Sequence, residues 1–323
     1  MQVAGVEFLK MPVNERVCSK LARDLGANLL AALKDCATVE LMVNPDGRVW
    51  IERLGESMQC IGSLGVAQTE AIIKTVAGFH SKEITRSNPI IEGEFPLDQS
   101  RFAGQIPPVV SSPCFAIRKK AIQVYTLDDY VRSGVLSQKH SDAIHSAIFN
   151  HRNILVIGGT GSGKTTLINA IIHQMVEEFP DERVIILEDT AEIQCTAQNF
   201  VQYHTSLDVS MTQLLKTTLR MRPDRILVGE VRGAEALDLL DCWNTGHEGG
   251  AATLHANNAL MGLTRLESLI SRNPAAPKDI KRLISEAVHL IIHISRTAQG
   301  RIVKEIIGIQ SFSDNRYEFQ HYR

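Results

Sequence analysis

The chain has 323 residues, 44% of them hydrophobic and 22% charged, with 34 Lys and Arg against 36 Asp and Glu for a net charge of −2. This is the composition of a globular protein with room for about two domains, and its near-neutral charge argues against tight nucleic-acid binding. Six scattered cysteines (Cys18, Cys36, Cys60, Cys114, Cys195 and Cys242) include no C-x-x-C pair, and no leader or apolar run of ~18 residues appears; the expected compartment is the cytoplasm.

Val13 to Cys36 reads as an amphipathic helix, because Val17, Leu21, Leu25, Leu29 and Leu33 recur at helical spacing. Val39–Val43 and Val49–Leu54 read as strands around the turn Asn44-Pro45-Asp46-Gly47. Gln68–His80 is helical in pattern. Ile90, Ile91, Phe95, Phe102 and Ile106 suggest short strands, Pro107-Pro108 and Pro113 break the pattern, and Cys114–Arg118 is a further strand. Residues 1–125 therefore read as an α+β domain with antiparallel pairing. Thr126-Leu-Asp-Asp129 has the form of a capping box, and Ser137 suits the cap of a helix carrying Ile144 and Ile148. Residues 126–136 are the expected linker.

From residue 137 to 323 the pattern changes to strand and helix in alternation. Ile154–Ile157 is a short apolar run, as in a strand buried on both faces. Strand-like runs follow at Arg183–Leu187, Arg225–Val228 and Ala251–Leu254. Helical runs follow at Thr212–Met221, Ala234–Trp243 and Leu260–Ile270. Val288–Ile294 and Arg301–Ile309 look like a final pair of strands. The expected architecture is α/β, a parallel-rich sheet with helices on both faces.

Between the first of these strands and the helix after it lies GGTGSGKTT, which fits G-x-x-x-x-G-K-[ST]. Glycines let successive N–H groups turn inward around phosphate oxygens, and a helix N-terminus adds positive potential. Gly158, Gly159, Thr160, Gly161, Ser162, Gly163, Lys164, Thr165 and Thr166 are thus the expected binders of ATP. Lys164 would reach the β- and γ-phosphates, and the Thr165 hydroxyl would ligate Mg²⁺. In an open parallel sheet the ligand lies beyond the carboxyl ends of the strands. Glu188, Glu230 and His255 each follow a strand there. Glu230 suits Mg²⁺ holding or activation of the attacking water, Glu188 suits orienting or deprotonating that water, and His255 suits sensing of the γ-phosphate. Arg101, Arg118, Arg220, Arg222 and Arg232 are candidates for a positive group on the γ-phosphate.

Four motifs in this order resemble the secretion ATPases of type II and type IV systems and type IV pili. GGTGSGKTT resembles their Walker A, LEDTAEI (Leu187–Ile193) their Asp box, LRMRPDRILVGEVRG (Leu219–Gly233) their Walker B, and GHEGGAATLHANN (Gly246–Asn258) their His box. VNPDGRVWIERLG (Val43–Gly55) resembles the hairpin of their first domain, and RFAGQIPPVVSSPCFAIRKK (Arg101–Lys120) its arginine-bearing segment. A short first domain and the lack of a tetracysteine zinc element point to the conjugal-transfer branch. The resemblance implies a RecA-like P-loop ATPase domain preceded by the smaller α+β domain. It also implies a hexameric ring at the cytoplasmic face of the inner membrane, with inner-membrane secretion components as partners. Arg101 and Arg118 then become the preferred arginines. The general base, Glu188 or Glu230, stays open. Other readings of the same loop are a RecA-like nucleic-acid motor such as a helicase, a small-molecule kinase, and a ring that hydrolyses hardly at all.

Overall fold

The computed structural model describes residues 13–53, 56–119, 124–206, 208–297, 300–314 and 316–322. Leu54, Gly55 and Lys120, which end stretches quoted above, lie outside the described residues. The chain divides into two compact units, Met1–Ile122 and Gln123–Arg323.

In the first unit, α1 (Val13–Lys34) is interrupted at Gly26, whose φ of 75° and ψ of 167° are non-helical. The expected single helix is therefore two helical pieces, although the leucine stripe persists: Leu21, Leu25, Leu29 and Leu33 are all buried. Then follow β1 (Thr38–Val43), β2 (Arg48–Arg53), β3 (Gln59–Ser63), α2 (Val66–Phe79), β4 (Ile90–Glu94), β5 (Arg101–Gln105) and β6 (Cys114–Arg118). The six strands form one antiparallel sheet in the order β3-β2-β1-β6-β5-β4. Strand alternation gives it an apolar face, with Leu41, Ile51, Phe102 and Ile117 buried against Leu25, Ile72 and Val76 of α1 and α2. Across the other face the register lines up Glu52, Glu40, Arg118, Arg101 and Glu94 on five neighbouring strands.

The second unit opens with α3 (Leu127–Arg132), capped by the Thr126–Asp129 box read from the sequence. Residues 126–136, expected to link two domains, instead pack into this unit: Leu127, Tyr130 and Leu136 are buried in its core. Their apolar side chains gain more from that burial than from a solvated tether. The remaining elements are α4 (Gln138–Phe149), β7 (Ile154–Gly158), α5 (Lys164–Glu178), β8 (Val184–Glu188), β9 (Phe200–His204), α6 (Met211–Thr218), β10 (Arg225–Val228), α7 (Glu235–Asn244), β11 (Ala251–His255), α8 (Ala259–Ile270), α9 (Ile280–Ala287), β12 (Leu290–Thr297), β13 (Gly300–Ser313) and β14 (Arg316–His321). The sheet order is β14-β13-β12-β7-β11-β10-β8-β9. From β12 to β9 all pairs are parallel, while β12-β13 and β13-β14 are antiparallel.

Alternate residues of the central strands feed two cores. Leu155, Ile157, Ile226 and Leu254 pack with α6–α9, and Ile154, Val156, Ile186 and Ile292 with α3–α5. This is the three-layer α/β arrangement expected from the alternation. Four elements go beyond the sequence reading: β3 of the first unit, which is largely exposed, β9 and β14, which are half-exposed strands at the two edges of this sheet, and α9, a short helix with Ile284 and Ala287 buried.

At the base of β7, Asn153 is wholly buried. Its Nδ2 donates to the Ala287 carbonyl at 2.7 Å, and its Oδ1 accepts from Gly250 N–H at 2.9 Å. Both partners are backbone groups of buried residues. Asn153→Ala is expected to lower the stability of the second unit by about 2–4 kcal/mol, read from urea unfolding by circular dichroism, because two buried backbone groups lose their partner.

Candidate functional site

Gly158 closes β7. A Cβ there would lie 2.3 Å from the Ile294 carbonyl oxygen and 2.4 Å from Ser162 Oγ, so only glycine lets the chain leave the sheet at this point. Gly163 is the N-cap of α5 at φ 97° and ψ 20°, a left-handed conformation that glycine adopts without strain. Ser162 between them is 2% exposed, and its Oγ has no hydrogen-bond partner among the described residues. A buried hydroxyl without a partner is costly, and a phosphate oxygen seated in the loop would supply one. With the α5 N-terminus behind it, the loop from Gly158 through Gly159, Thr160 and Gly161 to Thr166 has the donor set of an anion site.

Lys164 is 8% exposed. Its Nζ donates to the carbonyls of Gly158 at 3.1 Å and Gly159 at 3.0 Å, and lies 3.4 Å from His255 Nδ1. Register places His255 level with Gly158 on the neighbouring strand. His255 Nε2 lies 2.8 Å from Glu230 Oε1. Burial first, and the Lys164 charge second, hold the His255 imidazole below its ordinary value, outweighing the pull of Glu230. The lowered value favours the neutral ring at pH 7, which weakens any ion pair with Glu230.

Glu230 Oε2 also accepts from Arg232, at 2.9 Å from Nε and 2.5 Å from Nη2. Arg232 Nη1 donates to Asp189 at 3.1 Å, and Asp189 accepts from the Thr205 hydroxyl at 2.9 Å. Lys164, His255, Glu230, Arg232 and Asp189 thus form one chain of contacts along the carboxyl ends of β7, β11, β10 and β8.

The two glutamates of the Asp box differ. Glu188 is 2% exposed. Its Oε1 accepts from the N–H groups of Glu192 at 3.0 Å and Ile193 at 2.8 Å, and its Oε2 from Gln202 Nε2 at 2.6 Å. Burial pushes its carboxyl up despite these bonds. Both oxygens accept hydrogen bonds that hold the loop after β8 and tie it to β9. Glu192 is the carboxylate at the loop: its Oε2 accepts from Thr165 Oγ1 at 3.2 Å. Spacing could not reveal this, since residues 189–199 are irregular and i, i+4 has no fixed meaning outside a helix.

Of the expected metal holders, Thr165 and Glu230, Thr165 Oγ1 donates to Glu192. The Glu230 oxygens are engaged by His255 and Arg232, and among the described residues no group of three or more His, Cys, Asp or Glu could hold a metal ion. Thr165 and Glu192 fit a cation that arrives with the phosphates. Arg220 and Arg222 are exposed beyond α6. Arg101 and Arg118 belong to the first unit, where they face each other across β5 and β6.

The sequence profile of the type II/IV secretion system proteins matches residues 28–319. The chain is 50% identical over 307 residues to the conjugal transfer protein TrbB of Rhizobium radiobacter, spanning 95% of this chain and 94% of that one. It is 49% identical over 305 residues to the probable conjugal transfer protein TrbB of Sinorhizobium fredii, spanning 94% and 93%. Its fold is similar to that in the X-ray structure of the Legionella pneumophila ATPase DotB, with a TM-score of 0.62 at 20% identity over 87% of this chain and 79% of that one.

The electrostatic assignment of His255 is checked by histidine NMR titration. Its midpoint is expected below 6.5, and Lys164→Ala is expected to raise it, because a nearby positive charge that opposes protonation is removed.

Proposed function

Because this chain belongs to the type II/IV secretion system protein family, we propose that it is the ATP-hydrolysing motor of a conjugative type IV secretion system. The observation that carries this reading is the junction of the phosphate loop with two acidic elements, Thr165–Glu192 on one side and Lys164–His255–Glu230 on the other. ATP would lie with its phosphates in the loop from Gly158 to Thr166. Lys164 would leave its carbonyl partners for the β- and γ-phosphates. Mg²⁺ would be held by the Thr165 hydroxyl and the phosphates, and would neutralise charge on the leaving group.

Glu192, beside Thr165, is in position to orient the attacking water and accept its proton. Neutral His255 has a single N–H, so it would sense the γ-phosphate, without adding charge, by turning that donor from Glu230 to a phosphate oxygen. Arg101 and Arg118 of the first unit would add the positive group that phosphoryl transfer calls for. The working assembly is a hexameric ring of this chain at the cytoplasmic face of the inner membrane, in contact with inner-membrane components of the secretion system. No helix among the described residues is long and apolar enough to cross a membrane, which fits peripheral attachment through partners.

ATPase turnover measured against protein concentration, with mass determination in parallel, tests the motor reading. Specific activity is expected to rise as a six-subunit ring forms, and Lys164→Ala is expected to abolish it. Full activity from a monomer would overturn the ring mechanism. For the base, Glu192→Gln is expected to lower kcat by roughly 10²- to 10⁴-fold with ADP affinity kept. Glu188→Gln is expected to act mainly on thermal stability. A larger loss of kcat in Glu188→Gln at unchanged stability would return the role to Glu188.

A further inference from the structure

The hairpin of β12 and β13 runs past the phosphate loop. The Ile294 carbonyl is the group that a Cβ at Gly158 would strike, and Ile294 Cδ1 lies 3.6 Å from where a Cβ at Gly163 would stand. Closer still to that point are Arg301 Cδ, at 2.8 Å, and Arg301 Nε, at 3.1 Å. The Arg301 side chain thus lies across the glycine that starts α5, in space that any other residue at 163 would take from it.

Arg301 is not alone. Register sets it directly opposite Arg296, on a hairpin where Ile294 pairs with Val303. Residues two apart on a strand share a face, so both arginines lie on the face of Ile294 and Val303. Those two are buried in the core that also holds Leu167 and Ile168 of α5. Like charges opposite each other on paired strands are destabilising. Among the described residues neither guanidinium has a hydrogen-bond or ion-pair partner. By contrast Arg225 and Arg232, in the same unit, are both engaged by carboxylates. Arg301, solvent-exposed and without a carboxylate, therefore stands beside a loop whose buried Ser162 hydroxyl also lacks a partner, with exposed Arg296 opposite it on the hairpin.

We propose that Arg301 is a nucleotide-binding residue, its guanidinium contacting the polyphosphate held in the loop, with Arg296 beside it adding a second positive charge from the same subunit. This rests on the nucleotide reading of the loop. The bound anion would relieve the repulsion between the two arginines. The planar fork of a guanidinium suits two phosphate oxygens at once, whereas lysine offers a single point charge. The contact differs from that expected of Arg101 and Arg118, because it comes from the unit that carries the loop itself. It is a binding contact, made before and after hydrolysis alike, so it acts on affinity more than on turnover.

The test uses the full chain, with ADP binding followed by calorimetry and ATP turnover measured in parallel on wild type, Arg301→Gln, Arg301→Lys and Arg296→Gln. Glutamine keeps much of the side-chain stem over Gly163, so the variant retains packing while losing the charge. ADP affinity in Arg301→Gln is expected to fall roughly tenfold, the scale of one charged hydrogen bond, with kcat at saturating ATP changed less than about threefold. Arg301→Lys should recover part of the affinity, and Arg296→Gln should lose less than Arg301→Gln. Unliganded melting temperatures of the glutamine variants should equal or slightly exceed wild type, because one of two opposed charges is gone, while the stabilisation brought by ADP shrinks. ADP affinity of Arg301→Gln within twofold of wild type would overturn the proposal and leave the nucleotide site standing. Wild-type protein that binds no ADP would overturn the nucleotide reading itself.

Discussion

The site depends on one close approach. β7 lies between β11 and β12, and at its last residue the backbone passes so near the Ile294 carbonyl and Ser162 that no side chain fits. Parallel strands buried on both faces supply the rigidity for this, since Ile154 to Gly158 are all buried and hydrogen-bonded on both edges. A loop leaving such a fixed point can hold its N–H groups in one arrangement at no further ordering cost. The neighbouring strands end close by: register sets His255 level with Gly158, and Val228 level with both Leu187 and Ala252, so Glu188 and Gly229 follow two residues short of His255.

Charges along that rim alternate. Lys164, Glu230, Arg232 and Asp189 follow one another with neutral His255 set between the first two. A protonated imidazole beside Lys164 would put two like charges about a hydrogen bond apart in a half-buried place, and burial already weighs against it. Any movement of the ammonium toward a phosphate would be felt first at the histidine and then at the Glu230–Arg232 pair.

Much of this was legible in the residues. The run Ile154–Ile157 followed by four glycines and Lys164 locates strand, loop and helix with little ambiguity, because few other structures tolerate that order. Residues closing strands, such as His255, could be assigned to the site from topology alone. What could not be read was which carboxylate does what. Glu188 and Glu192 sit in one short stretch, and only the path of the irregular loop turns the first inward onto backbone N–H groups and the second toward Thr165. The segment 126–136 was likewise opaque: a capping box marks a helix start, but nothing local says that Leu127 and Tyr130 will be buried by residues far along the chain. Arg301 lay in plain sight as one more surface arginine, since its nearness to Gly163 is a product of the β12–β13 hairpin.

The clamp at Asn153 has a consequence for the order of folding. It joins backbone groups 97 and 134 residues further along, and β7 itself pairs with β11 and β12, the strands that close the sheet. Contacts of such long range form late, after the loop entropy between them has been overcome. The phosphate loop can thus gain its native shape only when nearly all of the second unit has assembled around it. During synthesis, a ribosome-bound chain that has just exposed GGTGSGKTT would not yet hold a nucleotide. Capture of the ligand would mark a finished domain, and a truncated chain lacking the last strands would be silent rather than uncontrolled.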